Sequence, residues 1–472
     1  MKVEQIYTGC IAHAAYYIES KGEAAIFDPL RDVESYINRA QRDGAKMKYV
    51  FETHFHTDFV SGHLDLAKKT GAQIVFGPTA KPCYEALVAK DEQVFTVGDY
   101  KVKVIHTPGH TMESTTYLLI DENGKEHGII SGDTLFIGDV GRPDLAQHVV
   151  AELTQEILAA HLFDSLRNRI MPLSDDLIVY PNHGAGSACG KKMSKEKTDT
   201  LGHQKEVNYA LDPDMSKQRF IDEILNGLVP PPAYFPQNVL LNIKGTISLD
   251  DVLRRGKNAL SAESFETAAN ETEAVIIDAR DATSFSAGFI PNSINIGIDG
   301  NFATWVGTLI PNIEHDILLV CEQGREEEVI TRLARVGYDN VLGYLEGGFN
   351  TWLDNNKETD TISSVTAVEL AQSMRLEEVH ILDVRKLSEF ESEHVLSALN
   401  APLDFINSSM TKINANKTYY VNCVSGYRSM TFISIMQARG YRNFINVIGG
   451  FNAIKESKKF KLTNYVVPTS LL

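Results

Sequence analysis

Hydrophobic and polar residues change period several times along the chain, and those changes predict its elements. Near the start, the pieces AYYIES and AAIFDP read as strands, apolar runs bounded by turn residues. Farther on, KYVFETH and YKVKVIHTP read as strands that each end in histidine, and GIISGDTLF as an apolar strand running into Asp133. Helix-like stretches separate them. Chemistry in α/β layers gathers where strands end, so the pattern alone marks these positions. At 228–236 the run LVPPPAYFP excludes regular helix or sheet, because consecutive prolines lack amide donors. A boundary is expected there, giving a first domain over residues 1–240.

Beyond it the pattern repeats. AVIIDARDATSF (274–285) resembles VHILDVRKLSEF (379–390), and ARVGYDNVLGYLEGGFNTW resembles QARGYRNFINVIGGFNAI. Asp278 matches Asp383, Arg280 matches Arg385, and Gly337 matches Gly440. Each copy has the size of a small domain and alternates strands with helices, so two parallel-sheet α/β units are expected over 241–357 and 358–472.

Composition narrows the functional classes. The 472 residues are too many for one core. A formal charge of −17 repels nucleic acid and anionic lipid, so neither is an expected partner. The opening MKVEQIYTG lacks the basic and apolar regions of a secretory signal, and no apolar run reaches the roughly 20 residues of a membrane span. The five cysteines are few, odd in number and widely spaced, with no CxxC pair. That argues against a disulfide framework or a cysteine zinc site and fits a reducing cytoplasm.

Two constellations carry chemistry. The first is Thr53-His54-Phe55-His56-Thr57-Asp58-Phe59 after the strand KYVFE. Alternate residues at a strand end can face one cavity, and imidazoles with a carboxylate there bind divalent metal. His110 in TPGHT, Asp133 in SGDTLF and His183 in YPNHGAG follow in glycine-containing turns. The second is Cys423-Val424-Ser425-Gly426-Tyr427-Arg428-Ser429, between the strand TYYVN and the helix-like MTFISIMQARG. Loop amides, a helix N-terminus and Arg428 around a cysteine favour a thiolate or persulfide anion.

The ordered set of four metal motifs resembles the metallo-β-lactamase superfamily, which implies an αβ/βα sandwich. The usual superfamily motif is HxHxDH; here its last position is Phe59, which cannot coordinate a cation. A two-zinc hydrolase is therefore disfavoured. Within the superfamily the persulfide dioxygenases look closest. That resemblance implies one Fe(II) per chain on His54, His110 and Asp133, with His56, Asp58 and His183 orienting the ligands. GDVGRPDL (138–145) resembles that family's arginine-bearing loop, which implies that Arg142 pairs with an anionic group of the thiol carrier. Cys189 in HGAGSACG is implied to lie near the iron and to relay sulfur or contact substrate.

The CxxGxRS loop with DVR upstream resembles the rhodanese family, which moves sulfane sulfur through a cysteine persulfide. The resemblance assigns catalysis to Cys423 with Arg428, and the anion cradle to Ser425, Gly426 and Ser429. The first repeat departs from this pattern: Cys321 is followed by EQGREEE, a loop one residue short whose glutamates repel an anion. It is expected to be a structural module. Together the resemblances imply α/β and α+β domains in series, a metallo-β-lactamase sandwich followed by two rhodanese-like domains. They imply oxidation of a small thiol persulfide by dioxygen to sulfite, with transfer of sulfur to or from thiosulfate; a homo-oligomer is expected only because such assemblies are common. A zinc thioester hydrolase with an appended sulfurtransferase, and a non-enzymatic docking scaffold, stay open as alternatives.

Overall fold

The structure is a computed structural model and describes residues 1–145, 153–376 and 378–467. The chain divides into two compact units. One comprises Met1–Asp251 with Leu333–Gly337, the other Val252–Arg332 with Tyr338–Leu472.

The first unit contains two six-stranded sheets. In one, Val3–Thr8, His13–Ser20, Glu23–Phe27, Lys46–Phe51, Gln73–Phe76 and Leu87–Val88 lie side by side in chain order. The other runs from Val94–Val97 through Tyr100–His106, Thr115–Ile120, Glu126–Gly132 and Ile178–Pro181 to Asp199–Thr200. Strict alternation within strands sorts the side chains into layers. Ala14, Tyr16 and Ile18 point between the sheets, where they meet Val102, Tyr117, Leu119 and Ile130. Their neighbours Ala15 and Tyr17 face outward onto Tyr36, Ala40 and Leu66, from the helices Glu34–Arg42 and His63–Thr70. On the far side, Leu118 and Ile129 pack under Leu162 and Phe220, from the helices Gln155–Ser165 and Lys217–Leu225. The result is the helix–sheet–sheet–helix sandwich expected from the motif order.

The proline run behaves as foreseen up to Ala233; the helix Phe235–Lys244 then follows, with proline in its first turn. This helix belongs to the first unit, which runs on to Asp251. Its Asn242 explains why. The amide donates to the carbonyls of His56 and Phe59, both at 2.9 Å, and its oxygen accepts from the Ser61 amide at 2.9 Å.

The second unit holds two five-stranded, all-parallel sheets of identical topology. The register confirms the repeat: Asp278 pairs with Val320, and Asp383 with Asn422. Cys321 and Cys423, each the next residue, therefore occupy equivalent strand ends. The helix Tyr427–Ala438 is buried at every position from Ser429 to Gln437, because it contributes to a core that also takes Phe285 and Phe289 from the first module. That all-round burial accounts for its apolar sequence. Among the described residues, no helix is long and apolar enough to cross a membrane.

Candidate metal centre and cysteine loop

The strand Lys46–Phe51 stops before the histidine motif, and residues 53–59 form an irregular loop. The period-two expectation for His54 and His56 therefore fails, and the two rings go to different places. The ligand atoms of His54, His110 and Asp133 lie within 4.8 Å of one another, all buried. Asp133 Oδ2 is 3.4 Å from His110 Nε2 and 3.9 Å from His54 Nε2.

His56 turns away. Its Nε2 lies 2.9 Å from Asp28 Oδ1 and 3.2 Å from Glu52 Oε2, and its ring stacks on Phe59 at 4.2 Å between centroids. Burial opposes charge on this imidazole, but Asp28 and Glu52 outweigh burial and hold its pKa well above the ordinary value. Glu52 answers in kind. Burial pushes it up, while His56 and His63 pull it down to about 2.

The imidazoles of His54 and His110 are oriented from behind. The Thr53 hydroxyl lies 2.9 Å from His54 Nδ1, 3.2 Å from Asp28 Oδ1 and 3.1 Å from the Asn182 amide nitrogen. With Thr53 donating to Asp28, His54 Nδ1 donates to Thr53 and leaves Nε2 as a bare lone pair. Burial first, then the neighbouring imidazoles, lowers the His54 pKa well below its ordinary value, so the ring is neutral and fit to ligate. His110 Nδ1 donates to the Arg142 carbonyl at 2.9 Å.

Arg142 thus serves the site through its backbone. Its side chain is engaged elsewhere, in a bidentate pair with Asp144 at 2.6 and 2.6 Å and hydrogen bonds to the carbonyls of Val229 and Ala188. In this arrangement the donors of the guanidinium are engaged by the protein itself.

Asp58, His183 and Cys189 form a second buried group, with ligand atoms within 4.8 Å of one another. It adjoins the first: His183 Nε2 is 3.6 Å from Asp133 Oδ1 and 3.5 Å from Asp58 Oδ2. Cys189 is therefore beside the candidate metal pocket, and burial pushes its thiol pKa well up. His110 Nε2, His183 Nε2, Asp58 Oδ1 and both Asp133 oxygens are buried without a hydrogen-bond partner. Unpaired buried acceptors of this kind are costly unless a cation satisfies them. The donor set fits a metal ion.

In the second unit, Gly426 adopts φ +110, a conformation glycine supplies without strain. The turn aims its amide at Cys423 Sγ, 3.1 Å away. Ser429, whose hydroxyl donates to Asn446 Oδ1 at 2.8 Å, lies 3.7 Å from the same sulfur. Ser425 is exposed at the loop's tip. Arg428 does not reach back to the sulfur; it forms a bidentate pair with Glu389 at 2.6 and 2.8 Å. That pair raises the arginine's pKa against the opposing effect of burial and, with the same opposition, lowers the glutamate's.

The equivalent loop at Cys321 is filled by its own acids. Gly324, the counterpart of Gly426, donates its amide to Glu326 at 3.0 Å. Arg325 is drawn to Asp299 at 2.7 Å and Glu328 at 2.9 Å. Burial and the adjacent acids push the Cys321 thiol up to about 12. Sequence reasoning missed Asp28, Glu52, Asn242 and Glu389, and gave Thr53 no role within its motif. The acids Asp28 in AAIFDP and Glu52 in FETH were visible as polar residues at apolar strand ends.

Comparison with known proteins agrees with this architecture. A metallo-beta-lactamase superfamily model matches residues 8–183, and a rhodanese-like domain model matches 261–355 and 366–457. A hydroxyacylglutathione hydrolase from Maricaulis maris is 30% identical over 217 residues, covering 41% of this chain and 79% of that protein. The cytoplasmic hydroxyacylglutathione hydrolase of Arabidopsis thaliana is 33% identical over 128 residues, covering 26% of this chain and 48% of that protein. The chain thus spans about half the length of several curated relatives it matches. The solved metallo-beta-lactamase from Staphylococcus aureus subsp. aureus COL is 32% identical, with a TM-score of 0.63, covering 73% of this chain and 98% of that one. The chain belongs to the metallo-β-lactamase superfamily, with two rhodanese-like domains following its metal-binding domain.

Proposed function

We propose that this protein oxidises a low-molecular-weight thiol persulfide to sulfite at a mononuclear Fe(II) site and transfers sulfane sulfur through Cys423. The observation that carries the reading is the capture of His56 by Asp28 and Glu52. It leaves two imidazoles and one carboxylate, the donor set of non-haem Fe(II) oxygenases, which keeps positions open for substrate and gas. His54, His110 and Asp133 would hold the ion, which when bound supplies a redox-active Lewis acid for dioxygen and sulfur. Thr53 and the Arg142 carbonyl fix the two rings, and Asp58, His183 and Cys189 border the pocket. In the overall reaction a persulfide, dioxygen and water give the thiol, sulfite and two protons. The sulfane sulfur is oxidised and dioxygen is reduced.

Sulfur transfer is a separate step. The bond between Cys423 Sγ and its sulfane sulfur breaks, that sulfur bonds to sulfite, and thiosulfate leaves. The electron pair returns to Cys423 as thiolate, facing the Gly426 amide. The reverse direction uses the same groups. Holding both steps on one chain raises the local concentration of the shared sulfite. Oxygen uptake by the Fe(II)-loaded protein on addition of small thiol persulfides tests the first step, and no uptake with any of them would end the reading.

The second reading is a zinc thioester hydrolase with an appended sulfurtransferase. It is favoured by the curated hydroxyacylglutathione hydrolases and by the donor group Asp58, His183 and Cys189 beside Asp133. Metal analysis after anaerobic purification separates the two: zinc together with thioester turnover supports the hydrolase.

A further inference from the structure

The first rhodanese-like module has a socket for a residue of the second module's cysteine loop. Tyr427 stands between Gly426, whose amide faces Cys423, and Arg428, held by Glu389. It is also the first residue of the helix Tyr427–Ala438. Its hydroxyl donates to the Gly297 carbonyl at 2.7 Å. Its ring fills the space over two glycines. A Cβ on Gly300 would lie 2.5 Å from Tyr427 Cε2 and 2.7 Å from Cζ, and one on Gly297 3.2 Å from Cε2. Neither glycine has a left-handed φ, so backbone torsion does not require glycine at either position; the tyrosine ring excludes a side chain at Gly300 unless it shifts and only crowds Gly297. A second tie runs from the Asn295 amide to Ser434 Oγ at 3.0 Å on the same helix.

We propose that Tyr427 is a positioning residue through which the first module, whose own loop is blocked by Glu326, holds the Cys423 loop in shape. The loop amides that stabilise a sulfur anion are fixed between two struts, Tyr427 in its socket and Arg428 on Glu389. Sulfur transfer then depends on a module that performs none. The role in catalysis rests on the sulfurtransferase reading above; the mechanical coupling does not.

The test uses the full chain and the variants Gly300→Ala, Tyr427→Ala, their double, and Tyr427→Phe. Two quantities are measured: sulfur transfer from thiosulfate to cyanide, and the pH profile of Cys423 alkylation by iodoacetamide, read by peptide mass spectrometry. Gly300→Ala is expected to lower transfer about tenfold and to move the alkylation midpoint up by about one pH unit, as a loosened anion cradle would. Added to Tyr427→Ala, it is expected to change either readout less than about twofold, because the clash is gone. Multiplicative losses in the double, or wild-type behaviour in Gly300→Ala, would overturn the proposal. Should Gly300→Ala fail to fold, Tyr427→Phe decides, since it keeps the ring and deletes only the hydroxyl. A loss of about threefold supports the strut, and unchanged rates refute it. A wild-type chain that transfers no sulfur sinks the sulfurtransferase reading, while the coupling is still decided by alkylation.

Discussion

Two histidines a residue apart do opposite work. His54 keeps a neutral ring beside His110 and Asp133, where a cation could sit, and His56 carries charge to neutralise Asp28 and Glu52. Their substitutions should part company. His54→Ala is expected to abolish stoichiometric metal binding while leaving the melting temperature of the metal-free protein within a few degrees. His56→Gln leaves buried Asp28 without its cation and Glu52 with His63 as its remaining imidazole, at a cost of about 3–5 kcal/mol. Metal analysis and thermal melts on both variants check this, and equal loss of metal with no loss of stability in His56→Gln would contradict it. The cysteines divide in the same way. With its thiol pushed up to about 12, Cys321 stays protonated through pH 9. Alkylation at pH 8.5 should modify exposed Cys83 far faster, and Cys321→Ser should keep full sulfur transfer while Cys423→Ser loses it.

Among the elements, the loops that follow strands carry the chemistry, and this is where the sequence was most and least informative. Apolar strands ending in His, Asp or Cys were legible because burial demands their pattern. Side-chain direction past the last paired residue was not, because beyond Phe51 no ladder imposes alternation. Hence the strand ends that meet at the candidate metal pocket were readable from the pattern, while the separation of His56 from His54, His110 and Asp133 was implied only by the resemblance and not by local spacing. Glu389 was hidden for a different reason: nothing local distinguishes an acid in the first turn of Leu387–Ser392 from a helix-capping one. Its pairing gives a pH signature. A carboxyl whose folded pKa lies below its unfolded value stabilises the fold above that unfolded value, and the gain is lost as pH falls through the folded one. Wild type should therefore exceed Glu389→Gln in stability at pH 7, and the gap should close as pH falls below about 4. Denaturant melts across that range measure it; a gap that widened in acid would exclude the pairing.

Across the whole molecule, the candidate metal centre and the cysteine loop lie in separate compact units. Among the described residues the candidate metal-binding groups all lie in the first unit, so chelation should lower one thermal transition and leave the other in place. Calorimetry with and without chelator reads this directly, and a single transition moving as one would refute it. The αβ/βα sandwich and the tandem parallel sheets were both legible from motif order and internal repeat. The extent of the first unit was not, since a proline run announces a break in regular structure and says nothing about which side the next helix joins. For anyone wishing to express the metal-binding half alone, Asn242 sets the scissors. A cut at residue 240 would strip three hydrogen bonds from the carbonyls and amide of the histidine loop and yield a fragment with a slack, poorly loaded pocket. A fragment ending at Asp251 keeps the clasp.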